Sequence, residues 1–163
     1  MKFNITEIKN TTLLTGIDFT KYLLTDFTLA RCSIMICSYV FDVRNLKENP
    51  YTASIIDTLI FAREKKINIE ILLNGYKKSG GIKKLNTGTC LFFADKKISC
   101  SLFSPLTTQH SKIVLIDDDI VYLGSHNFTE ASFTKSTETT LRIVSVELNN
   151  TLKKIIEELK ERY

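Results

Sequence analysis

The chain has 163 residues, a length that fits one domain with a core of its own, read here as residues 1–163. Its 44% hydrophobic and 25% charged content, with two Pro and six Gly, excludes a low-complexity or collagen-like chain. The formal net charge of +4 leans toward a polyanionic partner, either nucleic acid or an acidic membrane.

The opening segment, MKFNITEIKNTTLLTG, has no apolar signal region and no small-residue cleavage site. No apolar run is long enough to cross a bilayer, so a cytoplasmic location is expected. Residues 17–31 place Phe19, Tyr22, Leu23, Phe27 and Ala30 at helical spacing, with Asp18 able to cap the start. The β-rich apolar run at 33–41 reads as a buried strand. Cys32 and Cys37 fall on that strand with opposite parity and cannot bridge.

Pro50 leads into an amphipathic helix carrying Ile55, Ile56, Leu59, Ile60 and Ala62. INIEILLN at 67–74 is a second strand, turns follow at Gly75 and 79–81, and a helix over about 82–96 holds Gly88 in its middle. ISCSLF, from Ile98, is a third strand. This alternation points to parallel strands.

The pattern then changes. HSKIVLI and IVYLG flank Asp117-Asp118-Asp119 and predict an antiparallel hairpin. ETTLRIVSV is a further strand, and LNNTLKKIIEELKERY closes the chain as a helix with Leu152, Ile155, Ile156 and Leu159 on one stripe. The fold class is α/β, a mixed sheet flanked by helices.

The four cysteines, Cys32, Cys37, Cys90 and Cys100, contain no C-x-x-C pair, and only two histidines could assist a metal. They read as buried free thiols in a reducing compartment, and no metal or other cofactor is expected.

The chemistry concentrates in 109–138. On a strand, His110 and Lys112 would share one face, with Lys112 holding a phosphate oxygen while the imidazole attacks phosphorus. Asp117 has the opposite parity and reads as a structural acceptor; its two neighbours read as a solvated turn. Gly124-Ser125 can offer N–H groups and a hydroxyl to an oxyanion, and Asn127 adds an amide donor. Glu138 could accept a hydrogen bond from His110 and fix its tautomer.

His110-x-Lys112-x4-Asp117-x6-Gly124-Ser125-x-Asn127 resembles the HxKx4Dx6GSxN signature of the phospholipase D superfamily at every defined position. Over about 25–145 the chain is similar to single-motif bacterial endonucleases and Zucchini-type members of that superfamily. The resemblance implies a phospholipase D-like domain in which His110 is the nucleophile of a phosphohistidine mechanism. It also implies that Lys112 and Asn127 bind phosphate with Ser125 nearby, Glu138 orients His110, and Asp117 and Gly124 support the motif. Because His126 falls at the variable position of the motif, the chain has one motif histidine. The general acid must then come from a second subunit, and a homodimer with one composite site is implied. His126 itself reads either as a substrate contact or as an exposed, dispensable ring.

Small size, basic charge and a single motif favour a metal-independent nuclease acting on DNA or RNA. A cardiolipin-type lipid hydrolase would use the same chemistry, and a binding module with a vestigial motif is disfavoured by the intact His, Lys, Asn and Glu. The pairs Lys77-Lys78, Lys83-Lys84 and Lys96-Lys97 could form a nucleic-acid track, although each alone reads as a solvated face.

Overall fold

The computed structural model describes residues 9–103 and 106–161; the expected opening segment 1–8 and the last two residues of the closing helix lie outside them. In chain order the elements are β1 (Lys9–Thr15), α1 (Gly16–Leu29), β2 (Ser33–Ser38), α2 (Pro50–Glu64), β3 (Asn68–Asn74), α3 (Gly80–Asp95), β4 (Ser99–Phe103), β5 (Ile113–Ile116), β6 (Ile120–Gly124), α4 (Glu130–Thr134), β7 (Thr139–Val144) and α5 (Val146–Glu161). The strands form one mixed sheet in the order β1-β7-β6-β5-β2-β3-β4. β2, β3 and β4 run parallel, as the strand–helix alternation predicts, and the remaining neighbours are antiparallel.

Strand alternation divides the core into two layers. On one face Ile34, Ile36, Ile69, Ile71, Val114, Ile116 and Tyr122 pack with Phe19, Leu23 and Phe27 of α1, Ile55 and Leu59 of α2, Phe93 of α3 and Phe133 of α4. On the other face Cys37, Leu72, Ile113, Leu115, Val121 and Ile143 lie under Leu148 and Ile156 of α5. Pro50 begins α2 where its missing N–H costs nothing. A polar clamp ties α1 to the sheet: Arg142 of β7 donates Nε and Nη2 to the two carboxylate oxygens of Asp26, which also accepts from the Tyr122 hydroxyl.

Several expectations are corrected. α1 starts after Thr15, and Asp18 sits in the first turn beside Lys21 rather than at the cap. β2 ends at Ser38, three residues before the end of the apolar run, and Cys32 lies just outside it, exposed. Only Cys37 is a buried thiol; Cys90 and Cys100 are half-buried. His110 and Lys112 precede β5 in irregular backbone instead of opening it. β1 and α4 had no counterpart among the predicted elements.

Candidate active site

All of the motif except Asp117 gathers at one end of the sheet. β5 runs antiparallel to β2, so the segment leading into β5 meets the end of β2. β6 ends and β7 begins at this same edge. Gly124 makes that junction possible: a Cβ there would come within 2.2 Å of Thr140 Oγ1 and 2.3 Å of Thr139 O. No side chain larger than hydrogen fits between β6 and β7 at this point.

His110 is exposed, and Lys112 is 9% exposed. Lys112 Nζ lies 3.1 Å from His110 Nδ1 and 2.7 Å from the His110 carbonyl, and 5.4 Å from the centroid of the Tyr39 ring. An ammonium has only protons to give, so Nδ1 is the accepting nitrogen and the ring proton of neutral His110 sits on Nε2. Burial pushes the Lys112 pKa below its ordinary value, and the charge of Glu138 partly opposes this. The Tyr39 ring packs 4.9 Å from the His110 ring.

The backbone carrying His110 is held by side-chain amides. Asn74, at the end of β3, accepts from the Gln109 N–H through Oδ1 (2.9 Å), and Gln109 Nε2 donates to Ser111 O. Asn86 of α3 donates to the carbonyls of both Tyr39 and Asn74. Tyr39, Asn74 and Asn86 were not singled out from the sequence. Tyr39 and Asn74 have only their position at strand ends as a signal there, and Asn86, inside α3, has none.

Asn127 is half-buried, with Oδ1 3.4 Å from the Ser38 hydroxyl, which itself donates to Val40 O at 2.9 Å. Ser125 is committed locally: its N–H donates to Thr139 O, its hydroxyl donates to the same carbonyl, and its Oγ accepts from Thr139 N–H. Those bonds fasten β6 to β7, so the expected offer of Ser125 groups to an oxyanion is not what this chain displays. Glu138 accepts from Ser132 Oγ (3.5 Å) and acts on Lys112 and His126 by its charge; the expected hydrogen bond to His110 is not made within one chain.

Asp117 stands at the opposite end of β5, away from His110. Its carboxylate accepts from the backbone N–H groups of Arg31, Cys32 and Ser33, and the Arg31 guanidinium is 3.6 Å away. His126 corrects the expectation of an exposed ring: it is 1% exposed, stacked 4.2 Å over Phe19, with Nδ1 2.8 Å from Thr140 Oγ1. Burial holds its pKa below the ordinary histidine value, against the pull of Glu138. A buried ring of this kind cannot contact substrate.

Lys77-Lys78 and Lys83-Lys84 flank the start of α3, at the edge where β3 ends, whereas Lys96-Lys97 follow the far end of that helix. The three pairs therefore do not form one track. His110 opens on a small pocket of about 160 Å³, bounded by Phe103, Thr107–Ser111 and Ile155, Ile156 and Leu159 of α5. A larger groove of about 990 Å³ between Val43-Arg44 and α3 includes none of the motif residues. Among the described residues no cluster of three His, Cys, Asp or Glu is arranged to hold a metal ion, and no helix is long and apolar enough to cross a membrane.

The fold and the motif edge together define a phospholipase D-like domain. Residues 23–160 match the sequence profile of the family described as "Cardiolipin synthase, PLD-like domain", and the chain belongs to that family. Among solved structures it is similar to Nuc from Salmonella typhimurium, described as a phospholipase D family member: 20% identity, TM-score 0.73, covering 92% of this chain and 94% of that one. It is equally similar to NucT from Helicobacter pylori, at 20% identity and TM-score 0.73 over 93% and 96%. Phosphatidylserine synthase from Haemophilus influenzae aligns at 14% identity and TM-score 0.71, over 90% of this chain and 38% of that one. No curated protein matches the sequence.

Proposed function

We propose that the chain is a single phospholipase D-like domain, residues 1–163, that works as a homodimeric, metal-independent phosphodiesterase on nucleic acid. The observation that carries this reading is the convergence of His110, Lys112 and Asn127 at one sheet edge, with Glu138 close enough for its charge to act on Lys112. Lys112 and the Asn127 amide bind the phosphate. When phosphate draws the Lys112 ammonium away, Nδ1 of His110 is free to carry the ring proton and Nε2 becomes the nucleophile. Glu138, which in one chain acts on Lys112 through its charge, accepts the Nδ1 proton bond once the groove is assembled.

Nε2 then attacks phosphorus and the bond to the leaving oxygen breaks, with a proton supplied by the second copy's His110. That histidine next takes a proton from water. The resulting hydroxide attacks phosphorus and the P–N bond breaks, returning His110 free.

The support for dimerisation is twofold. One chain has one motif histidine and only a small pocket at it. In addition, Leu13, Leu141 and Leu123 stand opposite one another across β1, β7 and β6, in the same row as Ile113 and Cys37. α5 covers Ile113 and Cys37, at 8% and 1% exposure, but leaves Leu13, Leu141 and Leu123 at 64%, 38% and 39%. This uncovered strip adjoins Ser125 at the motif edge, where a second copy would complete the site.

Nucleic acid is favoured as substrate by Lys77, Lys78, Lys83 and Lys84 around the loops at that edge. A lipid phosphodiesterase is the alternative, favoured by the family description and by Val43, Ile82, Leu85 and Phe92 lining the larger groove. A cleavage panel in EDTA separates the two, using plasmid, single-stranded DNA, RNA and cardiolipin vesicles. Wild type should cut a nucleic acid with EDTA present, and His110→Ala should be slower by about a thousandfold or more. Cleavage of vesicles alone supports the lipid reading; activity that vanishes in EDTA and returns with magnesium contradicts the mechanism.

A further inference from the structure

We propose that Cys90 and Cys100 form a redox pair that closes to a disulfide and staples α3 to the edge strand β4. The two thiols belong to different elements, and their sulfurs are 3.1 Å apart, with the Cys100 thiol donating to the Cys90 sulfur. A disulfide needs about 2.05 Å, so the sulfurs have only about one ångström to close. The approach is built by the fold. The connection between α3 and β4 is a tight turn in which the N–H groups of Lys96 and Ile98 bond to Phe93 O and that of Lys97 to Ala94 O. Cys100 is also fixed opposite Ile71 in the ladder with β3.

The other two cysteines lack this combination. Cys37 is 1% exposed, and burial pushes its thiol up to about 12, which leaves it inert. Cys32 is exposed but has no thiol neighbour among the described residues. Cys90 and Cys100 are both half-buried, open to a small reagent and already in contact. The hydrogen bond from Cys100 stabilises the Cys90 thiolate and raises the Cys100 pKa, which sets the order of reaction.

The oxidant is a low-molecular-weight disulfide of the glutathione class. The Cys90 thiolate attacks one of its sulfurs, expels one small thiolate and forms a mixed disulfide. Cys100 then gives up its proton to solvent, attacks the Cys90 sulfur and expels the second small thiolate, which is reprotonated. Two electrons leave the protein and reside on the two small thiols. Among the described residues β4 is the outermost strand on its side, paired only with β3. The staple therefore restrains an edge strand, and that strand leads toward Gln109 and His110.

The test treats the full chain with oxidised or reduced glutathione, blocks free thiols, and maps tryptic peptides. Oxidation should remove two hydrogens and join peptide 85–96 to peptide 98–112, the one that contains His110. It should also raise the thermal midpoint by roughly 5–10 °C, the scale for closing a loop of this size in a domain of this size. Cys90→Ser and Cys100→Ser should each lose both effects, and Cys32→Ser should keep them. Cys90 and Cys100 recovered as free thiols while Cys32 carries glutathione would overturn the proposal. So would a linked pair with an unchanged or lowered midpoint. The peptide map of the wild type decides the first point even if a serine variant fails to fold.

Discussion

Asp117 occupies a left-handed backbone position, φ 51°, at the turn between β5 and β6. There its carboxylate reaches three successive N–H groups at the entry to β2. Burial pulls its pKa upward, but the bonds from Ser33, Cys32 and Arg31 and the Arg31 charge outweigh this, and the net pKa lies below the ordinary carboxylate value. A depressed folded pKa means stability that is fully present above the unfolded value of about 3.9 and lost as pH falls through the folded one. Asp117→Asn should thus cost about 1–3 kcal/mol at pH 7, and the gap to wild type should shrink at pH 3, read by urea unfolding. Asn tolerates the left-handed backbone, so the substitution isolates the carboxylate. An equal gap at both pH values would assign the loss to shape instead of charge.

Residue type alone conveyed the spacing of His110, Lys112 and Asn127 but not the surroundings of polar side chains. His126 was open to reading as a surface ring because a histidine in a turn-like segment is usually solvated; its burial depends on Phe19, more than a hundred positions earlier. Ser125 was legible as a hydroxyl beside the motif, and its engagement with Thr139 follows from a strand pairing that spacing does not encode. Glu138 was likewise legible as a carboxylate near the site, whereas its distance from His110 within one chain required coordinates.

At the scale of elements, the apolar periods of α1, α2 and α5 and the β-rich runs of β2, β3, β5 and β6 were legible because burial on defined faces imposes them. β1 was not. KNTTLLT is an edge strand with Thr at three of its seven positions and one fully buried leucine, Leu14, so it carries little alternation. α4 has five residues, too few for a helical period, and is held by the Thr129 cap on Ser132 N–H. With β1 in place, the exposed row Leu13, Leu141, Leu123 comes into register.

Substituting Leu123→Lys together with Leu141→Lys should weaken self-association by about a thousandfold, since the two copies together lose four leucines and burying each contributes about 1 kcal/mol. Sedimentation across a concentration series reads the shift, and circular dichroism checks the fold. A dimer of unchanged affinity would place the interface elsewhere.

At the scale of the whole molecule, the mixed sheet brings the end of β2, the approach to β5, the end of β6 and the start of β7 to one edge, and so collects residues from Tyr39 to Glu138. In the proposed mechanism one chain thereby presents half of a phosphate site, with His110 as its one motif histidine. A displacement through phosphohistidine needs one group to attack and another to protonate the leaving oxygen, and in the proposed homodimer the second is the other copy's His110. Subunit mixing tests this most directly. Wild type is combined with increasing His110→Ala chains, exchange is run to completion, and hydrolysis is measured at constant total protein. If each site needs both histidines, heterodimers are dead and activity follows the square of the wild-type fraction. Activity that falls in simple proportion to that fraction would show that one chain suffices and contradict the shared site.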